Sequence, residues 1–222
     1  MNKMREVLIT KRDREMMRWV NGVGFAMIKQ IAEKMSMSNW AVYKRVKKLV
    51  RIECLAHHRV YHGLPGVYCV TTLGAECVGS DLPALRMISK ATYDHDLVLT
   101  QLVIKLLKTV GGELTTEREL RYQKTQDGIG QFGHIADAEI IIDNKKIAIE
   151  LELTKKGNRR LKKIINDYMK NFDIHEVWYF CANNQIKKQV SAYQSTCAFL
   201  KVFDLDVNDV NACDITLEKS CA

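Results

Sequence analysis

The sequence has no apolar run approaching the ~18 residues that a membrane-spanning helix needs, so no membrane is expected among its partners. It has no C-x-x-C pair, and its seven cysteines are odd in number. That argues against a disulfide framework and for buried thiols in a reducing, cytoplasmic setting. The opening residues, MNKMREVLITKRDREMM, are charged throughout, and no secretory leader is expected. Internal repeats and low-complexity tracts are absent. The single Gly-Ile-Gly, Gly128 to Gly130, has no helix expected after it and is therefore no phosphate-binding fingerprint. Proline is reduced to two residues. One of them ends the polar stretch Gly79-Ser80-Asp81-Leu82-Pro83, the best candidate for a domain boundary.

What the chain does have is charge, unevenly placed. Residues 1–90 carry 16 Lys and Arg against 7 Asp and Glu, a net +9; the remainder carries 18 against 19, a net −1, within +8 for all 222 residues. A basic excess confined to one part of a chain points to a polyanionic partner. Nucleic acid fits better than a membrane surface, because no basic helix presents a broad Trp/Phe/Leu face. The chain is long enough for two small domains, and the expected division is residues 1–85, residues 90–210 and a tail over 211–222.

In the first of these, Thr10 and Asp13 have the spacing of a capping box ahead of a helix through Val20, which Asn21-Gly22-Val23-Gly24 stops. A second helix is expected over about Phe25 to Met35 and a short turn at Ser36-Met37. Ser38 then caps a third helix, NWAVYKRVKKLVR. Its Val42, Val46, Leu49 and Val50 share one stripe, leaving Asn39, Lys44, Arg45, Lys47 and Lys48 on the other faces. Two strands follow, around His62-Gly63-Leu64-Pro65-Gly66. Cys54, His57, His62 and Cys69 fit no common zinc spacing, and alternation along those strands would scatter them over both faces. Two helices, a tight turn and a basic helix make the helix-turn-helix order. From Ser38 to Gly74 the chain is similar to winged helix-turn-helix domains. On that likeness the third helix reads DNA, with Asn39, Trp40, Lys44, Arg45 and Lys48 as the DNA-binding candidates.

The second part is organised around HIADAEIIIDNKKIAIELELTKK, His134 to Lys156. Asp143-Asn144 suits a two-residue hairpin turn, which sets Ile142 opposite Lys145 and Asp137 opposite Glu150. The period of two puts Ala138, Ile140, Ile142, Ile147, Ile149 and Leu151 on one face, the expected core face. Asp137, Glu139, Glu150 and Glu152 fall on the other. Slipping the register by one residue would mix the two sets. Carboxylates so close call for a cation, a shared proton or open water. Mg²⁺, or Mn²⁺ in its place, is the cation that such a set with substrate phosphates would take.

Around this hairpin we expect a helix over Thr92 to Val110 and a strand over Glu113 to Arg121. Next come a glycine-bearing loop through His134, a helix over Asn158 to Phe172 and a strand over Glu176 to Ala182. Asp94 and His95 sit in the first turn of the helix at Thr92. His95 is a candidate metal ligand or proton-transfer group, Glu117 and Glu119 are weaker candidates, and His134 is a candidate base or DNA contact. Lys155 to Lys163, KKGNRRLKK, packs six basic residues into nine positions. Arg159 and Lys163 would hold a phosphodiester, and Lys155 or Lys156 would supply a cation to the reaction.

The order αβββαβ, with Asp137 on the second strand and Glu150-Leu151-Glu152 on the third, resembles the PD-(D/E)XK restriction-endonuclease-like superfamily. Ala136 stands where that motif has proline and Glu152 where it has lysine. The overall expectation is an α/β chain (α+β overall): a winged helix-turn-helix followed by a restriction-endonuclease-like domain. Taken together with His95, Ala136-Asp137-Ala138 and the downstream Lys163 and Tyr168, it looks like the replication–relaxation family, which includes MobC-type plasmid mobilisation relaxases. That resemblance implies a Mg²⁺-dependent endonuclease that nicks double-stranded DNA at an origin of plasmid transfer or replication. Asp137, Glu150 and Glu152 would be its metal ligands, and those three with Lys155 and His95 its candidate catalytic residues. Relaxosome or replication proteins and a second copy of the chain are further candidate partners. The alternative, which Glu152 in the lysine position keeps open, is a non-catalytic DNA-binding regulator, acting at an operator, or a transfer accessory protein with a decayed nuclease fold.

Overall fold

The computed structural model describes residues 8–126 and 133–205. They form two compact units, one running to Thr100 and one beginning at Gln101. Among the described residues the protein is mixed α/β, with eight helices, a two-stranded sheet and a five-stranded mixed sheet.

The first unit begins with α1 (Lys11–Val23), opened by the expected Thr10/Asp13 capping box and closed at Gly24, whose φ of 86° a side chain would disfavour. The helix expected from Phe25 is shorter, α2 (Ile28–Lys34). Ala26 is extended instead and exchanges two backbone hydrogen bonds with Tyr68, of 3.1 and 2.9 Å. Helix α3 (Asn39–Arg51) starts at Ser38, whose hydroxyl accepts the Ala41 N–H. Strands β1 (Leu55–His58) and β2 (Val67–Val70) pair antiparallel, and Thr71 caps the short α4 (Thr72–Cys77). Val42, Val46 and Leu49, the stripe expected of α3, are fully buried with Met16, Met17, Val20, Ile31 and Leu55. The first half of α5 (Tyr93–Val110) belongs to this unit. Tyr93 stacks on Phe25 at 5.4 Å, and the Gln30 amide donates to the Leu97 carbonyl at 2.8 Å.

In the second unit the sheet order is β3-β4-β5-β6-β7. β4 (Ala138–Ile142) pairs antiparallel with β3 (Glu113–Thr116) on one side and with β5 (Lys145–Glu152) on the other, whereas β6 (Glu176–Cys181) and β7 (Leu200–Asp204) run parallel to β5. The strand expected through Arg121 is cut short, because α6 (Glu117–Gln126) begins at Thr116. There the Glu119 carboxylate accepts both the N–H and the hydroxyl of Thr116, each at 2.8 Å, the reciprocal half of a capping box. Glu117 and Glu119 are thus helix residues, and Tyr122 to Gln126, read as loop, are helical too. The rest of that loop, 127–132, and the tail beyond 205 lie outside the described residues. At the hairpin Asp143 and Asn144 have φ of 48° and 62°, and Ile142 opposes Lys145 as expected. Helices α7 (Asn158–Met169) and α8 (Asn184–Ser191) are the βαβ crossovers.

Candidate functional site

The carboxylate face of β5 is no solvent face. Leu161, Ile164, Ile165 and Tyr168 of α7 join Ala148, Val177, Tyr179 and Cys181 of the sheet in one buried cluster. Since the parallel part of a sheet is covered on both sides, the period of two has two core faces to fill. Glu150 and Glu152 are carried into one of them, at 0% and 3% exposure. A carboxylate there costs several kcal/mol unless it is paired, hydrogen-bonded or protonated.

The chain supplies partners from three elements. The Tyr168 hydroxyl donates to Glu150 Oε1 at 2.5 Å, and His134 Nε2 lies 2.6 Å from the same oxygen. Lys156 donates its ammonium to Glu152 Oε1 and stands 3.9 Å from Glu150 Oε2. Asp137 precedes β4, and its Oδ2 accepts the Leu151 N–H at 2.8 Å, replacing a ladder acceptor where β4 has not yet begun. The Ala138–Ile149 pairing brings Asp137 alongside Glu150. His134 is itself fixed, its N–H donating to Asp167 Oδ2 at 3.2 Å and its carbonyl accepting from Lys124 at 3.3 Å.

Burial pushes the Glu150 carboxyl above its ordinary range and the nearby Asp137 charge adds to this, against the opposing pull of His134 and Lys156. Burial likewise raises Glu152 to about 7, opposed by Lys156 and reinforced by Glu150 and Asp137. The Tyr168 hydroxyl is pushed up by burial and by the Glu150 charge. Two buried oxygens on this face, Glu150 Oε2 and the Tyr179 hydroxyl, have no hydrogen-bond partner among the described residues, although Glu150 and Tyr179 are register neighbours across β5 and β6. His134 and Tyr168 also line a cavity of about 430 Å³ with Lys124, Glu139, Lys146 and Asp167.

Of the expected site residues, Asp137, Glu150 and Glu152 share one face and feel one another's charge, although among the described residues no three such groups stand close enough together to hold a metal ion as they are. Lys155 does not join them: it is exposed, and Lys156 is the lysine that turns inward. His95 belongs to the first unit, where its ring meets Asp96 at 3.5 Å. Arg159 and Lys163 are exposed on α7. Tyr168, which enters the sequence reading through the family likeness, is a hydrogen-bond partner of Glu150. The available signal was that it alone on the apolar stripe of α7 ends in a polar atom.

In the first unit Asn39, Trp40, Lys44 and Lys48 are all exposed on α3, Trp40 by 63%. Trp40 stacks with Tyr43 at 5.9 Å, and the Lys44 ammonium lies 4.7 Å from the Trp40 ring centroid. Arg45 differs from its neighbours. Its guanidinium binds both oxygens of Asp13, Nε to Oδ1 at 2.5 Å, and donates to the Leu8 carbonyl at 2.6 Å, which ties α3 to the start of α1. Burial alone would raise the Asp13 carboxyl, but Arg45 and Thr10 outweigh it and hold Asp13 below its ordinary value. Among the described residues no helix is long and apolar enough to cross a membrane. The chain matches no protein-family model and no curated protein.

Proposed function

We propose that the protein binds DNA sequence-specifically through a winged helix-turn-helix and nicks it through a restriction-endonuclease-like second unit. Mg²⁺ or Mn²⁺ is the metal of that reaction, and an origin of plasmid transfer or replication is its site. The observation that carries this reading is Glu150: a fully buried carboxylate beside Asp137 and Glu152, with one oxygen that has no hydrogen-bond partner among the described residues. A structural ion pair has no use for three clustered acids, two of them with raised proton affinity, whereas functional sites are built that way.

An all-oxygen donor set suits a hard cation, and the unpartnered Oε2 of Glu150 supports the fit. Asp137, Glu150 and Glu152 would hold the ion, which when bound supplies an activated water and charge neutralisation at a phosphate. The remaining work belongs to the chain. His134 and Tyr168 fix the rotamer of Glu150 through Oε1, leaving Oε2 to the site. Leu151 fixes Asp137. Lys156 brings a cation to the carboxylate edge from β5's exit loop and fills the electrostatic role that lysine in place of Glu152 would have had. On α3, Asn39 would reach base edges, while Lys44 and Lys48 meet phosphates.

A second reading is favoured by the same lysine. Lys156 already offsets Glu152 and Glu150 without any metal, which a non-catalytic DNA-binding regulator with a decayed nuclease fold would also need. The deciding experiment is nicking of supercoiled DNA of the host replicon with Mg²⁺ or Mn²⁺, by wild type and Asp137→Ala. Nicking by the first and not the second supports the nuclease. Metal-independent DNA binding without nicking supports the regulator.

A further inference from the structure

The exposed aromatic pair on α3 is unexplained by phosphate contacts. Indole is costly to leave in water, and a covered aromatic side chain buries roughly 150–250 Å². Trp40 nevertheless stays 63% exposed and Tyr43 41% exposed, although they stack on each other and Lys44 rests against the indole. Both rings belong to a helix whose other exposed residues, Asn39 apart, are cationic: Lys44, Lys47, Lys48 and Arg51. Beside it opens a cavity of about 550 Å³, lined by Lys11, Arg12, Lys44 and Lys48 among others. A flat aromatic surface in a field of lysines is how proteins hold unpaired nucleobases: the ring takes the base face and the cations take the backbone. An intact duplex has no base face to offer, since every base is stacked on its neighbours. A protein partner would need acidic chemistry for the lysines and would leave no reason for two stacked, near-parallel rings.

We propose that Trp40 and Tyr43 form a stacking platform for an unpaired base, so that the first unit binds melted or bubble-containing nucleic acid in preference to perfect duplex. This deepens the DNA-binding reading given above and rests on it. Stacking requires a base swung out of the helix; Lys44 would then exchange its contact with the indole for one with the flanking phosphate.

The test is a titration of the full-length protein, with EDTA present to prevent cleavage. The probes are a fluorescein-labelled duplex and the same duplex carrying a central bubble of unpaired bases. Wild type should prefer the bubble by about ten-fold, within the range that base–aromatic stacking supplies. Trp40→Ala should lose that preference, its affinity falling about ten-fold further on the bubble than on the duplex, and Trp40→Phe, which retains a ring, should keep most of it. Because Trp40 lies outside the core, neither change should disturb folding. Equal affinity of wild type for the two probes, or a preference that survives Trp40→Ala, overturns the platform and leaves duplex binding by α3 standing. Binding to neither probe overturns both.

Discussion

The two units handle charge in opposite ways. In the first, the cations of α3 other than Arg45 are held out in water, and the one charge drawn into the core among the described residues, Asp13, is met on both oxygens by Arg45. In the second, two glutamates sit inside the core of a mixed sheet with one lysine to share between them. Exposed charges act at a distance, and salt weakens them within about 10 Å at 0.1 M. Buried ones act only on what touches them, but there they shift proton affinity by a large margin. The first arrangement suits capture of a polyanion, the second suits chemistry on it. Changes in the two units should therefore separate affinity from activity.

The largest expected effect is at Glu150. Glu150→Gln keeps the shape and the contacts of Oε1 while removing the charge, so metal-dependent nicking should fall by about a hundred-fold or more. Duplex affinity in EDTA should not change. A rise of wild-type melting temperature with Mg²⁺ or Mn²⁺ should disappear in the variant, because only a folded site can bind the ion. If Glu150→Gln nicks as well as wild type, the carboxylate face has no catalytic part.

Next in size is a contrast between adjacent lysines. Lys156→Met leaves Glu152 and Glu150 without their cation and should destabilise the second unit by on the order of 3 kcal/mol. That is the low end for breaking a buried pair, since the lysine keeps some contact with water. Lys155→Met, at an exposed position, should stay within about 0.5 kcal/mol. Equal denaturation midpoints for the two variants would show that Lys156 carries no such load.

That contrast also marks what could be read in the sequence. The hairpin register was legible, because Asp143-Asn144 admits a two-residue turn and the alternation around it has a single consistent phase. The three carboxylates therefore came out on one face. That the face is buried was not legible. Alternation was taken to mean one core side, yet β5 is antiparallel to β4 and parallel to β6, and α7 covers the side that Glu150 and Glu152 share. The helix at Glu117 was hidden because Thr115 and Thr116 continue a strand-like composition. The spacing from Thr116 to Glu119 is the same capping box as that from Thr10 to Asp13, but with no apolar stripe behind it to mark a helix. Which of Lys155 and Lys156 turns inward is decided by a single residue of loop geometry, beyond any periodicity. His134 and Tyr168 meet Glu150 across 16 and 18 residues, and Arg45 meets Asp13 across 32. For such pairs the helical pattern gives a face but not a partner.

A smaller effect is expected on α3. Lys44→Ala and Lys48→Ala should each lower the slope of log affinity against log salt by about one, with affinity falling similarly on all duplex sequences. Asn39→Ala should instead relax the preference for one sequence. A salt slope unchanged in both lysine variants would mean that α3 is not the face that meets phosphate.

The smallest effect tests the one buried charge of the first unit. Asp13→Asn can keep hydrogen bonds to Thr10 and Arg45 but makes them neutral, a loss on the order of 1 kcal/mol. Its pH dependence is the more telling measurement. Asp13 has a folded-state pKa below its ordinary 3.8, so the folded state releases the proton more readily than the unfolded chain. The stability this contributes is complete above about pH 4 and is lost as pH falls through the depressed folded value. The difference in unfolding free energy between wild type and Asp13→Asn should therefore be constant from neutral pH down to about pH 4 and narrow below it. A difference that instead stays constant into stronger acid would mean that Asp13 stabilises α1 by its shape and hydrogen bonds alone. Arg45 would then be free of any electrostatic duty to α1, and its guanidinium would be available to a phosphate alongside the proposed contacts of Lys44 and Lys48.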